Sequence, residues 1–205
     1  MRKTKIICTI GPACADEETL RRMCLAGMNV ARLNFSHGTH DDHLAHIRRI
    51  RKVREELHLP IAIMLDTKGP EYRIGCFENG SIELKDGDLF TLTTQDVVGD
   101  ETHVSVSYKG LCSELKPGDH VLINNGLLVL EVLEADAQDA KCRVLTGGTL
   151  SSRKSMSFPG RVFTHAYLSE QDKADLLFGA ENDVDFIACS FVSRKEDLLS
   201  VREFL

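Results

Sequence analysis

Residues 29–38 have the sequence NVARLNFSHG, and this stretch decides the fold around it. Apolar and polar residues alternate, which predicts a β-strand with two unlike faces. Three polar side chains lie two residues apart and therefore share one face: Arg32, Asn34 and Ser36. Because buried polar groups are costly unless they are paired, this face must meet either solvent or a ligand.

The segments on both sides of this strand extend it into a repeating β/α pattern. Residues 4–10, TKIICTI, form a continuous apolar run that predicts a strand buried on both faces. Residues 16–27 have helical spacing and end at a glycine, and a capping box from Thr39 to Asp42 opens a longer helix. Residues 61–69, IAIMLDTKG, predict the next strand. This order predicts parallel strands joined by right-handed crossovers.

The pattern changes after Pro70. Residues 71–160 contain short alternating runs separated by turn sequences such as Asn79-Gly80, which predict a separate antiparallel β-domain. We therefore expect one domain from residues 1–70 and 161–205 and an inserted β-domain from residues 71–160.

The β/α pattern returns at Tyr167. A Ser169-to-Asp172 capping box precedes a helix, residues 184–192 (VDFIACSFV) predict another buried strand, and a Ser193-to-Glu196 capping box precedes a last helix. The chain stops inside that helix without a terminating glycine or proline. We therefore expect the β/α series to be cut short.

Composition excludes several classes of function. The 205 residues are 42% hydrophobic and 27% charged, with a net charge of -6 and dispersed lysines and arginines, so neither a nucleic-acid nor an anionic-membrane partner is indicated. No apolar run approaches the ~18 residues of a membrane span, and no signal-peptide pattern opens the chain, so we expect a cytoplasmic protein. The seven cysteines form no CxxC pair and predict buried, reduced thiols.

The ends of the predicted parallel strands carry the candidate chemistry. Arg32 and Asn34 end the second strand, Asp66 and Thr67 end the third with Arg73 following, and Ser190 ends the fourth. Arginine suits carboxylate or phosphate, and hard oxygen ligands suit alkali or alkaline-earth cations. The combination predicts a site for an anionic phosphate ester with cations, as phosphoryl transfer requires. A structural polar network is the alternative that the pattern leaves open.

Three further patterns favour ordinary structural roles. Histidines recur every three residues from His37 to His46, but that spacing drifts around a helix, and a solvated face is favoured over a metal site. The TGGTL segment at residues 146–150 lacks phosphate-loop spacing and predicts a hairpin turn. Lys154 lies where the β-domain returns toward the β/α series, and it is either a nucleotide contact or a solvated lysine.

Four strings resemble the N-terminal motifs of the pyruvate kinase family: TKIICTIGPA, AGMNVARLNFSHG, LDTKGPEYR and VDFIACSFV. The resemblance covers essentially the whole chain. It implies a partial (β/α)8 TIM barrel of about four β/α units with an inserted small antiparallel β-barrel domain that acts as a lid. It also implies phosphoryl transfer from phosphoenolpyruvate to ADP in glycolysis, the cofactors Mg2+ and K+, and a homotetrameric full-length protein. A non-catalytic anion-binding, nucleotide-binding or interaction module derived from this family is the alternative.

The resemblance also implies roles for individual residues. The catalytic residues would be Arg32, which binds the phosphoryl substrate, and Arg73, which binds the transferred phosphate. The potassium ligands would be Asn34, Ser36, Asp66 and Thr67. The nucleotide contacts would be Asn34, Phe35, Ser36, His37, Arg73 and Lys154. Glu71 implies a K+ requirement, because a lysine at that position accompanies K+ independence in the family.

The chain departs from the family pattern in the inserted domain. Asn124-Asn125-Gly126 replaces the usual Asp-Asp-Gly, Thr146-Gly147-Gly148 replaces Asn-Gly-Gly, and Ser155 and Ser157 replace a glycine and an asparagine. The family's acid-base lysine and Mg2+ carboxylates belong to a Lys-x-Glu strand and a later aspartate, and no such segment occurs in this sequence. We therefore expect these 205 residues alone to be inactive. We also expect lid hinges near Pro70 and Pro159-Gly160.

Overall fold

The structure, a computed structural model, describes residues 3–205. The strands follow in this order: β1 (Ile7–Thr9), β2 (Val30–Asn34), β3 (Ala62–Asp66), β4 (Tyr72–Arg73), β5 (Ser81–Leu84), β6 (Leu89–Thr93), β7 (His103–Ser105), β8 (His120–Ile123), β9 (Leu128–Ala135), β10 (Asp139–Thr146), β11 (Gly148–Ser151), β12 (Ser155–Ser157) and β13 (Phe186–Ala188). The α-helices are α1 (Glu17–Ala26), α2 (His40–Leu57), α3 (Leu111–Glu114), α4 (Glu170–Glu181) and α5 (Lys195–Phe204). No helix in residues 3–205 is both long and apolar enough to cross a membrane.

The chain forms two compact units. The first combines the residues up to Pro70 with Ala166–Leu205, and the second is Glu71–His165. Residues 161–165, which the sequence pattern assigns to the β/α domain, lie in the second unit, where Phe163 joins the hydrophobic core.

The first unit is built on a four-stranded parallel sheet in the order β1-β2-β3-β13. Strand β2 pairs with β1 through Thr9 and Arg32, and with β3 through Asn34 and Asp66. Helices α1 and α2 pack their apolar residues against the buried side of this sheet. The predicted fold class, a partial β/α barrel with an inserted β-domain, is confirmed.

The two outer strands differ from prediction. Both were expected to be buried strands, but Ile7 in β1 and Phe186 in β13 are half-exposed. The central strands β2 and β3 bury Leu33 and Leu65 completely. The difference arises because β1 and β13 each have a strand neighbour on one side only within this sheet, so their continuous apolar runs meet less packing.

Two of the three predicted helix caps are confirmed. The hydroxyls of Thr39 and Ser169 accept from the backbone N–H three residues later in α2 and α4, and the returning carboxylates complete both capping boxes. The third cap is wrong by one residue. Because α5 begins at Lys195, the carboxylate that receives the capping bonds belongs to Asp197 and not to Glu196.

The second unit is predominantly antiparallel. Its larger sheet has the order β4-β12-β8-β9-β10-β6-β7, and β5 pairs with β11 in a separate two-stranded sheet. Strands β6 and β7 are parallel, a pairing that the turn sequences did not predict. The hairpin turn predicted at residues 146–150 is also wrong, because the chain passes there from β10 in the larger sheet to β11 in the two-stranded sheet.

The cysteines are all free, as expected, but they are not all buried. Cys24, Cys112 and Cys142 are buried, whereas Cys76 is exposed. Burial raises the pKa of Cys112 to about 11 and that of Cys142 to about 12. These two thiols therefore behave as small apolar core groups.

Helix α1 offers a matched test of the first unit's packing, because Leu20 is buried and Leu25 is exposed on the same helix. We expect Leu20→Ala to lower the free energy of unfolding by about 2–5 kcal/mol, since it removes buried methyl groups and leaves a cavity. Leu25→Ala changes it by less than about 0.5 kcal/mol. Urea-dependent hydrogen exchange of β2 and β3 measures both, and equal losses of protection would contradict this packing.

Candidate functional site

The polar face of β2 is the side away from the helices. Ala31 and Leu33 belong to the hydrophobic core that includes Ile47 and Ile50 of α2. Arg32 and Asn34 alternate with them and are only partly buried. Strand periodicity therefore directs a guanidinium and an amide to the opposite side, at the carboxyl end of the sheet.

Arg32 is held between the strands on either side of it. Its Nε donates to Asp66 Oδ2 at 2.8 Å, and its Nη2 contacts the same oxygen. Its Nη1 donates to Thr9 Oγ1 at 2.6 Å. The side chain of Arg32 is 32% exposed while that of Asp66 is 10% exposed. The guanidinium is therefore fixed in orientation and still offers surface to an anion.

The second oxygen of Asp66 is bonded to the loop after β13. Ser190 Oγ donates to Asp66 Oδ1 at 2.9 Å, and Ser190 N donates to Thr67 Oγ1 at 3.2 Å. Thr67 N in turn donates to the carbonyl of Ala188 at 3.0 Å. The carboxyl ends of β2, β3 and β13 are thus joined through one carboxylate. The sequence pattern places Ser190 at this edge without a role and gives no signal for Thr9, which the strand register sets opposite Arg32.

The turn after β2 holds the remaining predicted residues of this unit. Asn34 Oδ1 accepts from Ser36 N at 3.0 Å, and the side chains of Ser36 and His37 are exposed. Phe35 is buried, with its ring stacked on that of His43 at a centroid distance of 3.9 Å. The Phe35 side chain therefore packs inside the protein, and its backbone N–H donates to the Asp66 carbonyl at 3.0 Å.

Two contacts that the sequence patterns did not predict position the loops after β3 and β13. Asp172 caps α4 with Oδ2 and accepts from Gly69 N with Oδ1 at 3.0 Å. The Tyr167 hydroxyl donates to the Ser190 carbonyl at 2.7 Å, and burial raises the pKa of Tyr167. The capping role of Asp172 could be predicted from the sequence. The partner of its second carboxylate oxygen, Oδ1, could not, because nothing in the sequence relates Asp172 to Gly69.

The second unit carries Arg73 and Lys154. Arg73 Nε and Nη2 pair with the two carboxylate oxygens of Glu71 at 2.9 and 2.7 Å, and Nη1 donates to the Arg153 carbonyl at 2.7 Å. Lys154 is half-buried and precedes β12, in which Ser155 pairs with Arg73. Arg73 and Lys154 therefore lie on neighbouring segments of the same unit.

The segment Asn124-Asn125-Gly126, which departs from the family pattern, adopts a backbone conformation that its residue types favour. Asn124 and Asn125 have φ values of 53° and 59° in the turn between β8 and β9. Asparagine enters this left-handed region more readily than most residues. The backbone N–H of Asn124 donates to the Ser155 carbonyl at 3.0 Å, which ties the turn to β12.

One of the four histidines, His43, does not lie on a solvated face as predicted, whereas His37 is exposed. The expected solvated face is wrong for His43 of α2, which is buried: its ring stacks on Phe35, and its Nε2 lies 2.9 Å from the His37 carbonyl oxygen. His40 lies against Asp175, with 2.7 Å between Nε2 and Oδ1. Residues 3–205 contain no group of three or more His, Cys, Asp or Glu side chains that could hold a metal ion.

The first unit is a parallel β/α sheet, and its strand ends carry a fixed arginine and hard oxygen donors. A β-unit interrupts the sequence of this sheet. These features define a β/α-barrel protein with a candidate anion site. The family model described as pyruvate kinase, barrel domain, matches residues 1–205. The chain belongs to the pyruvate kinase family.

Relatives agree with this assignment. A pyruvate kinase of Clostridium perfringens is 46% identical over 206 residues, covering 100% of this chain and 44% of that protein. A pyruvate kinase of Geobacillus stearothermophilus is 44% identical and is covered over 35% of its length. A crystal structure of a pyruvate kinase from Cryptosporidium parvum matches 99% of this chain and 42% of its own, with a TM-score of 0.91 and 40% identity. The chain spans less than half of each.

Gly69 is the residue whose substitution tests this strand-end geometry. It has a φ of +62°, and a Cβ there would lie 2.5 Å from the Ser190 carbonyl oxygen. Gly38 has a φ of +80°, but its nearest contact would be 3.5 Å, so Gly38→Ala carries the backbone strain alone. We expect Gly38→Ala to cost about 1–2 kcal/mol and Gly69→Ala about 1–3 kcal/mol more, from the added clash. Chemical denaturation of both variants measures this, and equal costs would contradict the close approach of Gly69 to Ser190.

Proposed function

We propose that this chain supplies the substrate-anion and monovalent-cation part of a pyruvate kinase, which transfers the phosphoryl group of phosphoenolpyruvate to ADP and yields pyruvate and ATP in glycolysis. The observation that carries the proposal is the partly exposed Arg32 guanidinium, held by Asp66 and Thr9 at the carboxyl ends of parallel strands. Ligands of β/α barrels bind at this end of the strands. Family membership supports the choice of reaction over other anion chemistry.

Arg32 and Arg73 are the proposed catalytic residues. Arg32 binds the phosphoryl substrate. Its contacts to Asp66 and Thr9 already order the side chain, so binding loses little further conformational entropy. Arg73 binds the phosphate being transferred and is ordered in the same way by Glu71. A guanidinium suits this role because it can bond two phosphate oxygens at once.

The proposed potassium ligands are Asn34, Ser36, Asp66 and Thr67. Their oxygens fit an alkali cation in type, being an amide, two hydroxyls and a carboxylate. The Ser36 hydroxyl is exposed and makes no hydrogen bond to another residue in 3–205, so it is available to an ion. Bound K+ would supply positive charge that balances the substrate phosphate. We propose Mg2+ as the second cofactor, and assign it no ligands within these residues.

The proposed nucleotide contacts are Asn34, Phe35, Ser36, His37, Arg73 and Lys154. The exposed turn at Ser36 and His37 and the half-buried Lys154 support this set. Arg73 and Lys154 belong to the second unit, which we propose acts as a lid that excludes water. We further propose a homotetrameric whole protein in the cytoplasm, where its glycolytic substrates occur.

Binding of phosphoenolpyruvate to the 205-residue chain tests the central role of Arg32. We expect Arg32→Gln to weaken binding about ten- to a hundredfold, because hydrogen bonds to charged groups are the stronger ones, and Arg32→Lys to have an intermediate effect. Arg48→Gln is the matched control, since Arg48 is exposed on α2 and makes no ion pair within residues 3–205. Calorimetric titration in KCl measures all three. Equal affinity of wild type and Arg32→Gln would contradict the proposal.

A K+ requirement tests the proposed cation site. In a chimera, residues 1–205 replace the matching segment of the Clostridium perfringens relative. We expect turnover about tenfold or more higher in K+ than in tetramethylammonium at equal ionic strength, because a positioned charge then stabilises the transition state. Glu71→Lys restores turnover without K+, since its ammonium replaces the ion, whereas Glu78→Lys at an exposed site does not. Equal turnover of the chimera in both salts would rule out the requirement.

An assay of the 205-residue chain alone tests whether these residues are sufficient for phosphoryl transfer. We expect no measurable transfer from phosphoenolpyruvate to ADP with Mg2+ and K+, since phosphoryl transfer needs positioned cations and a proton donor for the enolate. The Lys-x-Glu motif that the family resemblance associates with these functions does not occur in this sequence. A coupled assay of pyruvate formation measures the rate, with the active chimera as the positive control. Turnover that survives removal of host enzyme would overturn the expectation.

A further inference from the structure

Tyr167 is a buried residue of the first unit whose hydroxyl reaches the loop after β13. Its ring shares a small hydrophobic cluster with Leu176 of α4 and Val201 of α5, and the residue is 7% exposed. Its hydroxyl donates to the Ser190 carbonyl at 2.7 Å. The two helices therefore hold the ring, and the hydroxyl holds the loop.

Ser190 contacts two residues of the proposed cation site. Its Oγ donates to Asp66 Oδ1 at 2.9 Å, and its backbone N donates to Thr67 Oγ1 at 3.2 Å. Asp66 and Thr67 are both buried. The positions of these two ligand oxygens therefore depend on where the backbone at Ser190 lies.

The backbone directly after Ser190 is held in an unfavourable conformation. Phe191 has a φ of 60°, in the left-handed region that bulky side chains rarely adopt. The carbonyl that Tyr167 binds belongs to the peptide bond between Ser190 and Phe191, so the hydrogen bond opposes rotation of this peptide plane. Gly69 lies so close to the same carbonyl oxygen that a Cβ there would be 2.5 Å from it. Tyr167 thus stabilises a turn that its own residues do not favour.

We propose that Tyr167 is a positioning residue for the monovalent cation: its hydroxyl fixes Ser190, which in turn holds the ligand oxygens Asp66 Oδ1 and Thr67 Oγ1 in place. The inference rests on the proposed cation site and adds to it a residue that does not touch the ion. Cation affinity depends on the rigidity of the ligands as well as on their type. Residues that orient the ligands therefore influence affinity without contacting the ion.

A purely structural role for Tyr167 predicts a different result. A hydroxyl that only stabilised the loop would lower the thermal midpoint when it is removed and would leave the K+ affinity of the folded protein unchanged. A positioning role requires that affinity to fall, because the folded protein would then spend part of its time with the ligand oxygens displaced.

The binding test titrates the 205-residue chain with KCl, while tetramethylammonium chloride keeps the ionic strength constant. The backbone amide resonances of Asp66 and Thr67 report the dissociation constant of K+. We expect Tyr167→Phe to raise this constant about three- to tenfold, which is the effect of losing one hydrogen bond. Tyr108→Phe is the matched control, because it removes a hydroxyl that bonds Glu114 in the second unit, and it leaves the constant unchanged.

A double-mutant cycle tests whether Tyr167 acts through Ser190. Ser190→Ala removes the hydroxyl that bonds Asp66 and keeps the backbone carbonyl, and we expect it also to weaken K+ binding. The variant that combines Tyr167→Phe with Ser190→Ala weakens binding by less than the product of the two single effects, because both changes act on one chain of contacts. A combined effect equal to that product would overturn the role of Tyr167 through Ser190.

Failure of this inference is distinguishable from failure of the proposed cation site. If the wild-type chain shows no saturable change with K+, the cation site is wrong and the role of Tyr167 falls with it. If the wild-type chain binds K+ and Tyr167→Phe binds it as tightly, only the positioning role is overturned. Thermal unfolding of both proteins then measures the purely structural contribution of the hydroxyl.

Discussion

The contact between Arg32 and Asp66 is the interaction on which the first unit's strand ends depend. Asp66 lies in β3, where its carboxylate is mostly buried and needs compensation. Arg32 supplies the charge from β2, and Ser190 supplies a hydroxyl from the loop after β13. This one carboxylate therefore fixes three neighbouring chain segments at the same edge of the sheet, and it leaves the outer part of the guanidinium open to an anion.

The arginines of the long helix α2 do not create a basic surface, because three of them bond to backbone carbonyls of neighbouring elements. Arg49 donates to the Ala15 carbonyl before α1, and Arg51 contacts the carbonyls of Asn182 and Asp183 after α4. Arg54 bonds the Ile61 carbonyl and the Asp185 carboxylate. These side chains satisfy orphan carbonyls at the ends of neighbouring elements. Arg49, Arg51 and Arg54 therefore attach neighbouring loops to α2.

Local patterns predicted the parts of the structure that depend on local chemistry. The alternation in residues 29–38 predicted which face of β2 carries Arg32 and Asn34, and the caps at Thr39 and Ser169 followed from residues three apart. Long-range partners were beyond such patterns. Gly69 meets Asp172 across 103 residues, and His40 meets Asp175 across 135, so no spacing in the sequence relates them. The parallel pairing of β6 and β7 was missed for the same reason, because turn residues specify hairpins and not the partner reached by a longer loop.

Buried carboxylates distinguish the first unit from the second. Asp66, Asp172, Asp175 and Asp197 are all buried in the first unit, whereas the only buried polar residue in the described part of the second is Thr93. Both oxygens of Asp66, Asp172 and Asp197 accept bonds from the protein. Asp175 bonds His40 and Gln171 through Oδ1, and its Oδ2 has no hydrogen-bond partner within residues 3–205. In Asp66, Asp172 and Asp197 the cost of burying a charge is thus offset by bonds that hold neighbouring segments together, so that removing any one of their partners would leave a buried carboxylate uncompensated.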